Sequence, residues 1–159
     1  MASFADVESA APDFAARVRG ALDAHVHKIL ATLRADGAPR VSGIETRMVD
    51  GELFLAGMPR SVKFADLRRD PRMALHSGSD EPATFAADAK ISGRAVEVTD
   101  PGELARFAGE AAVPEEVQPF ELFRIDIEQV VLTGLSEEKD ALVITSWRPG
   151  RELQVTRRT

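Results

Sequence analysis

The sequence predicts a mainly β protein with short helices, in which six or seven antiparallel strands form a closed or partly closed barrel. Short segments of alternating apolar and polar residues follow one another along most of the chain. Only two helical segments interrupt them after the N-terminal region, so neighbouring strands are expected to pair with each other. A barrel also leaves few unpaired sheet edges, unlike an open sheet.

Length and composition indicate a single domain over residues 1–159. Apolar residues make up 44% of the chain and charged residues 29%, values typical of a globular protein that needs no cross-links. The chain has no cysteine. Disulfides, thiol nucleophiles and thiolate metal sites supplied by this chain are therefore excluded, and we expect no metal site.

Charge and hydropathy restrict the partners and the location. The net charge of −6 argues against general binding of nucleic acids, which depends on neutralising phosphates. No apolar run is typical of a secretory signal or a membrane span. We therefore expect a cytoplasmic protein without membrane partners.

The N-terminal region, residues 1–27, is predicted to contain a helix. Phe14, Val18 and Leu22 recur at four-residue spacing between residues 13 and 24. His25 and His27 follow, and we interpret them as structural histidines at the helix end, because two isolated ligands do not make a metal site. Residues 28–34 are predicted as the first strand and residues 35–39 as a turn.

The clearest local signal is a β-hairpin around Asp50-Gly51. An Asp-Gly pair between two strand-like segments is typical of a type I′ turn, and here it predicts strands over residues 40–49 and 52–57. The first of these strands is unusual, because neither of its alternating faces is wholly apolar. It is either an exposed edge or the floor of a ligand site, and the pattern leaves both open.

A short helix is predicted directly after the hairpin, over residues 61–70. Ser61 suits the N-cap position, and Phe64 and Leu67 have helical spacing. Lys63 lies in the first turn and Arg60 precedes it, although cations are unfavourable at the positive end of a helix dipole. A phosphate bound by the Ser61 hydroxyl, the free amides and Lys63 would reverse that effect. The alternative is that Lys63 is a solvated surface lysine.

The remaining segments complete the barrel. Strands are predicted over residues 72–77, 89–98, 120–132 and 141–147, with a loop around Pro82 between the first two. Gly93 indicates a bulge or a close backbone approach within its strand. Asp100 starts a helix that extends to about Gly109, in a pattern similar to a capping box. Residues 148–159 form a basic tail.

The order of these segments resembles a known family. A first strand, the Asp50-Gly51 hairpin and a Ser-x-Lys-x-x-x-Leu motif from Ser61 to Leu67 follow one another as in the pyridoxamine 5′-phosphate oxidase-like, FMN-binding split β-barrel superfamily. The similarity covers about residues 28–98, and the stretch from Trp147 to Arg151 is similar to bacterial members. Members are usually homodimers that bind FMN, the deazaflavin F420 or haem-related ligands at the dimer interface. The resemblance therefore implies a split β-barrel and a homodimer with a cofactor between the two copies.

The resemblance also implies cofactor-binding residues. Ser61 and Lys63 would bind the cofactor phosphate, helped by Arg60 or Arg40. Gly57 and Met58 would approach the ribityl chain or the phosphate. The backbone of the second strand would follow the edge of the isoalloxazine ring, at residues Val41, Ser42, Gly43, Ile44 and Glu45.

Three further residues each have two interpretations. Lys90 either lies near the ring, where a cation stabilises the anionic reduced flavin, or faces solvent. His76 is either a proton donor in a flavin site or a structural or interface histidine. Trp147 either stacks on the cofactor or the partner subunit, or belongs to the core.

The implied function is an FMN- or F420-dependent oxidoreductase that transfers hydride or electrons to a small unsaturated or quinone-like substrate. The alternative is a non-catalytic flavin- or tetrapyrrole-binding protein of the same fold, because the sequence shows no clear acid–base constellation. Oxidation of pyridoxamine 5′-phosphate itself is not expected. The family's Arg-x-His element near the C-terminus is missing, since no histidine follows His76.

Overall fold

The computed structural model describes residues 1–81 and 83–159, so Pro82 of the predicted loop lies outside the described residues. The strands are β1 (His27–Leu33), β2 (Pro39–Val49), β3 (Glu52–Gly57), β4 (Arg72–His76), β5 (Ala87–Val98), β6 (Glu121–Leu135), β7 (Leu142–Trp147) and β8 (Gln154–Arg158). The helices are α1 (Phe4–Ala10), α2 (Pro12–Asp23), α3 (Val62–Arg69) and α4 (Pro101–Glu110), with a 3₁₀ turn at Glu115–Val117. Within these described ranges, every helix is too short or too polar to cross a membrane.

The first six strands close into an antiparallel barrel. The sheet order is β3-β2-β1-β4-β5-β6-β7-β8, and β3 also pairs with β6. This additional pairing places Phe54 opposite Arg124 and joins the two ends of the six-stranded sheet. The predicted mainly β fold with an antiparallel barrel is therefore confirmed, and β7 and β8 extend the sheet beyond the barrel.

The predicted basic tail contains a strand that the sequence pattern did not indicate. β8 pairs with β7 from Leu142 opposite Arg158 to Ser146 opposite Gln154. All of its residues are exposed. An exposed strand has no buried face, so it lacks the alternation of apolar and polar residues that predicts strands.

The N-terminal region holds two helices where one was predicted, and His27 already belongs to β1. α1 begins with a capping box, in which the Ser3 hydroxyl accepts the Asp6 N–H at 3.3 Å and the Asp6 carboxylate accepts the Ser3 N–H at 2.7 Å. Both helices pack on the barrel through apolar residues that are buried in the main core, namely Phe4, Val7, Phe14, Val18 and Leu22. A helix of seven residues offers too short a periodic pattern for the sequence to separate it from its neighbour.

Two glycine-containing features agree with the sequence predictions. Asp50 and Gly51 have φ angles of 49° and 74°, as the two central residues of a type I′ turn require. The register of β5 against β6 shifts between Ser92 and Gly93. A Cβ atom at Gly93 would lie 2.1 Å from the carbonyl oxygen of Asp126. Gly93 therefore marks both a bulge and a close backbone approach.

A second, smaller apolar cluster holds α4 on the outside of the barrel. Its buried members are Phe54, Val98, Phe107 and Leu122. The Phe107 ring centroid lies 5.1 Å from that of Phe54 and 5.7 Å from that of Phe120. Asp100 caps the helix as predicted, because its carboxylate accepts the Glu103 N–H at 2.8 Å. This packing fixes α4 and the segment after it beside β3.

Candidate functional site

The N-terminal end of α3 carries a buried hydroxyl that lacks a partner. Ser61 is the N-cap residue, as predicted, but its side chain makes no capping hydrogen bond. The Ser61 Oγ atom is shielded from solvent and has no hydrogen-bond partner in the part of the chain that the structure describes. Buried polar atoms are normally hydrogen-bonded, so this hydroxyl and the amides of Val62 and Lys63 are available to a ligand, whereas the Phe64 N–H donates to the Ser61 carbonyl oxygen at 3.1 Å.

Lys63 extends from the first turn of α3 towards β2. Its Nζ atom donates a hydrogen bond to the carbonyl oxygen of Gly43 at 3.2 Å. No carboxylate among residues 1–81 and 83–159 forms an ion pair with it. The positive charge of Lys63 therefore adds to that of the helix dipole, and the pair favours an anion at this end of α3.

A carboxylate also lies close to this end of the helix. Glu121 Oε1 accepts the Arg60 N–H at 3.0 Å and lies 3.1 Å from Arg68 Nη2, whereas Glu121 Oε2 is buried without a partner among the described residues. Arg68 also binds Glu97, and this hydrogen bond is the main reason that the pKa of Arg68 is raised. Arg68 thus offsets the charge of Glu121. The Arg60 side chain makes no ion pair in the described part of the chain, and its backbone has a φ of 62°.

A buried ionic network attaches α3 to β1 and β2. The Asp66 carboxylate accepts hydrogen bonds from Thr32 Oγ1 at 3.0 Å, Arg40 Nε at 2.6 Å and Arg69 Nη2 at 2.9 Å. The Asp66 side chain is only 4% exposed. Arg40, a predicted phosphate ligand, is therefore bound to Asp66 through Nε, and its main observed contact is structural.

A cleft of about 600 Å³ opens beside Lys63. One wall comes from β2, β3 and α3, and it contains six of the residues predicted to bind a cofactor: Gly43, Ile44, Glu45, Gly57, Met58 and Lys63. The other wall comes from α4 and the segment that follows it, and its residues are apolar: Phe107, Ala111, Ala112, Val113, Pro114, Val117 and Phe120. Gly43 leaves the surface open, because a Cβ atom there would meet nothing within 4 Å.

The charged groups of the first wall are largely paired with each other. Glu45 lies between His27, at 3.7 Å from Nε2, and Arg47, at 3.2 Å from Nη2. His27 is therefore an exposed strand residue at the cleft rather than a histidine of a helix end. Among the described residues that line the cleft, Lys63 is the cation without a carboxylate partner.

The other predicted residues lie outside the cleft. Val41 points outwards from β2 and is 70% exposed, whereas Ser42 is half-buried opposite Leu30. Trp147 is 3% exposed and belongs to the main core. A cofactor or a partner subunit cannot stack on a ring that is covered in this way, so the structure favours the core interpretation of Trp147.

His76 and Lys90 lie together on the outward face of the sheet. They are directly opposite each other in the pairing of β4 with β5, and Ile29 of β1 is opposite His76 on the other side. Gly43 is opposite Ile29 in turn. Since alternate residues of paired strands share a face, all four belong to one row across the outside of the barrel.

Sequence reasoning missed two parts of this region. Residues 110–119, which supply most of the apolar wall after α4, belong to no predicted element, although Val113 and Val117 give that segment an apolar character. Asp88, which lies beside both His76 and Lys90, falls just before the strand predicted over residues 89–98. Its position two residues before Lys90 is the signal that could have placed both side chains on one face.

Comparison with known proteins identifies the fold. Residues 14–134 match the family model described as pyridoxamine 5′-phosphate oxidase. A search of curated proteins finds no match. Among solved structures, a pyridoxamine 5′-phosphate oxidase-related, FMN-binding protein from Nostoc punctiforme is similar, with 15% identity, 92% of this chain and 96% of that chain covered, and a TM-score of 0.63.

Two further solved structures have the same fold. PhzG from Burkholderia lata, in complex with tetrahydrophenazine-1-carboxylic acid, shares 17% identity over 94% of this chain and 87% of that chain, with a TM-score of 0.61. ChuZ from Campylobacter jejuni shares 11% identity over 87% of this chain and 61% of that chain, with a TM-score of 0.67.

Proposed function

Because the chain belongs to the pyridoxamine 5′-phosphate oxidase family, we propose that it binds FMN and acts as a flavin-dependent oxidoreductase. The observation that carries this proposal is the buried, unpartnered hydroxyl of Ser61 beside the unpaired cation of Lys63, at the N-terminal end of α3. Together they provide a hydroxyl donor, an ammonium group and free amides, which is the donor set that binds a phosphate. F420, whose phosphate would use the same donors, is the alternative cofactor.

Each part of the site has a role in this proposal. Ser61 and Lys63 hold the phosphate, and Arg60 adds a positive charge nearby. The backbone from Val41 to Glu45 follows the ring edge, where the absence of a side chain at Gly43 allows close approach. The bound flavin supplies the hydride or electron transfer, and the protein supplies position, electrostatics and exclusion of water.

The apolar wall of the cleft suits a substrate with little charge. Phe107, Val113 and Val117 offer only hydrocarbon surface, and apart from Lys63, which is assigned to the phosphate, the charges opposite them are paired at Glu45. Moving an unpaired charged group into such surroundings is costly. We therefore expect a small unsaturated or quinone-like molecule to receive the hydride or electrons.

A second copy of the chain is expected to cover the outward face. Ile29 is 45% exposed and Val41 is 70% exposed, and small residues such as Gly43 and Ala74 lie on the same face. Exposed apolar residues beside small ones on one face are typical of an isologous dimer interface. Val41→Glu should therefore give a monomer in light scattering, whereas Val96→Glu, on another part of the barrel surface, should leave the dimer intact.

Cofactor titration tests the main proposal. Wild-type protein should bind FMN or F420 saturably, as followed by absorbance and fluorescence. Lys63→Met should weaken binding about 10- to 100-fold, because it removes a charge-assisted hydrogen bond, and Ser61→Ala should weaken it by a smaller factor. Lys139→Met, which changes an exposed lysine in the turn before β7, is the matched control. Absence of saturable binding of both cofactors to wild-type protein would refute the proposal.

A non-catalytic binding protein for a flavin or a tetrapyrrole is the second candidate. It is favoured by the pairing of Glu45 with His27 and Arg47, which leaves Lys63 as the unpaired charged side chain among the described residues that line the cleft. Reduction of the bound cofactor followed by addition of a quinone separates the two. Repeated turnover supports the oxidoreductase, whereas a cofactor that is bound but never reoxidised by the acceptor supports the binding protein.

A further inference from the structure

A histidine of the cleft has no role in the proposed function. His27 is the first residue of β1 and lines the cleft. It lies directly opposite Glu45 of β2, which is in turn opposite Ala56 of β3, so the three residues form one outward row. The His27 side chain is 75% exposed. This imidazole therefore lies at the cleft and can exchange protons with water.

The two contacts of Glu45 are unequal. Its Oε2 atom accepts a hydrogen bond from Arg47 Nη2 at 3.2 Å. Its Oε1 atom lies 3.7 Å from His27 Nε2, which is longer than a hydrogen bond. Arg47 therefore binds the carboxylate, whereas the His27 ring makes no hydrogen bond among residues 1–81 and 83–159. The Nε2 atom of His27 is available to a molecule bound in the cleft.

His27 is the side chain of the cleft that is best suited to proton transfer. An imidazole gains and loses a proton readily near neutral pH. Arg47 keeps its proton, because a guanidinium group does not deprotonate in proteins. Lys63 is assigned to the phosphate, Glu45 accepts from Arg47, and the opposite wall is apolar. Among the described residues that line the cleft, His27 is therefore the candidate proton donor.

Reduction of a quinone requires such a donor. Hydride transfer from the reduced flavin places two electrons and one proton on the quinone, regenerates the oxidised flavin and leaves one anionic oxygen on the product. We propose that His27, as an imidazolium, donates its Nε2 proton to this oxygen and completes the hydroquinone, an inference that rests on the proposed function. The neutral imidazole then takes a proton from water, to which it is exposed.

The position of His27 is compatible with a cofactor whose phosphate is held at α3. The Gly43 carbonyl oxygen accepts the hydrogen bond from Lys63, and Glu45 follows two residues later on β2. Residues of one strand are about 3.3 Å apart and neighbouring strands about 4.8 Å, so His27 is about 8 Å from Gly43 along the sheet. His27 thus lies beside the part of β2 assigned to the ring edge. The small Ala56 side chain and the apolar wall leave room there for a flat substrate.

Two electron acceptors test the proposal, because one needs protons and the other does not. Menadione, a quinone, takes up protons when it is reduced, whereas ferricyanide takes up an electron and no proton. Protein loaded with FMN is reduced without oxygen and mixed with either acceptor, and flavin absorbance reports the reoxidation. His27→Ala should slow reoxidation by menadione about 100-fold or more, as expected for loss of a general acid, and leave reoxidation by ferricyanide and FMN affinity within about twofold of wild type.

Added imidazole and a matched variant separate proton donation from a structural role. Free imidazole should accelerate menadione reduction by His27→Ala, because it can supply the missing proton. His25→Ala, which removes the histidine beside Asp80 outside the cleft, should keep both wild-type rates. Equal menadione rates in wild type and His27→Ala, or equal slowing with both acceptors, would overturn the proposal and leave the proposed function standing. Failure of wild-type protein to bind FMN would instead refute the FMN-dependent function, and this inference with it.

Discussion

Replacing Asp66 by asparagine removes the charge from the buried network that attaches α3 to the barrel. The carboxylate is 4% exposed and accepts three hydrogen bonds, two of them from arginines. An amide of the same shape has one acceptor oxygen and an NH₂ group, which cannot accept from Arg40 or Arg69. The variant therefore leaves two guanidinium groups without a negative partner while α3 keeps its shape.

The expected loss of stability can be estimated from these contacts. Removal of one member of a buried ion pair costs about 3–5 kcal/mol. Arg69 is 40% exposed and can turn towards water, whereas Arg40 is 21% exposed and is less able to do so. We therefore take the lower end, about 3 kcal/mol, which corresponds to a fall in Tm of about 6–12 °C for a domain of this size.

The pH dependence of this effect has a definite sign. Burial by itself would raise the pKa of Asp66, but the hydrogen bonds from Arg40, Arg69 and Thr32 outweigh it, and the pKa is lowered. A lowered carboxylate pKa contributes stability above the pKa of the unfolded chain, about 4, and this contribution is lost as the pH falls through the folded value. The difference in Tm between wild type and Asp66→Asn should therefore be largest at pH 7 and become smaller below about pH 4.

Thermal and urea unfolding measure both effects. The matched control is Asp70→Asn, which changes a carboxylate that is 27% exposed and paired with the exposed Arg72 at the other end of α3, and it should shift Tm by less than about 2 °C. If Asp66→Asn unfolds within 1 °C of wild type at pH 7, the buried network does not stabilise the attachment of α3, and the reasoning is refuted.

Three further predictions concern stability. Gly93→Ala should lower the free energy of unfolding by more than about 2 kcal/mol, since a Cβ atom would lie 2.1 Å from a backbone oxygen. The matched change Gly109→Ala in α4, where a Cβ atom meets nothing within 4 Å, should raise it by about 0.5–1 kcal/mol; similar urea midpoints for the two would contradict the bulge assignment. Trp147→Ala should lower the free energy of unfolding by about 3–5 kcal/mol, because Trp147 belongs to the core. A loss of flavin affinity without a loss of stability would instead indicate a stacking role. Burial raises the pKa of Glu52, which penalises the charged form, so Glu52→Gln should raise Tm at pH 7 and have no such effect below about pH 4. A lower Tm of that variant at pH 7 would contradict this assignment.

Several elements could be predicted because their signals are local. Asp50-Gly51 supplies two residues that tolerate positive φ, and this determines a type I′ hairpin without reference to the rest of the chain. Asp100 caps its helix through a neighbour three residues away. Ser61 and Lys63 lie within one turn, so their shared position at a helix end follows from the chain itself.

The predicted site residues also divide into those that depend on local signals and those that depend on packing. Lys63 follows from the helix predicted after the hairpin, whereas the resemblance implies Gly43 and Glu45, and all three line one cleft. The resemblance implies Arg40 as a phosphate ligand, but its partner Asp66 is 26 residues away and depends on how α3 packs. A side chain with two potential partners binds the one whose interaction is strengthened by burial. Only the packed structure shows which partner is buried.

The sequence by itself predicted β1 to β7, the hairpin, the start of α3 with its serine and lysine, and the family resemblance, since each depends on residues close together in the chain. Tertiary structure decided the rest. Closure of the barrel pairs Phe54 with Arg124, the apolar wall of the cleft depends on Phe107 packing against Phe54, and the His76 and Asp88 contact joins two strands. Such contacts form between segments that are distant in the chain. The local sequence pattern of one segment does not identify its partner, because strand pairing depends on the burial and register of the whole sheet.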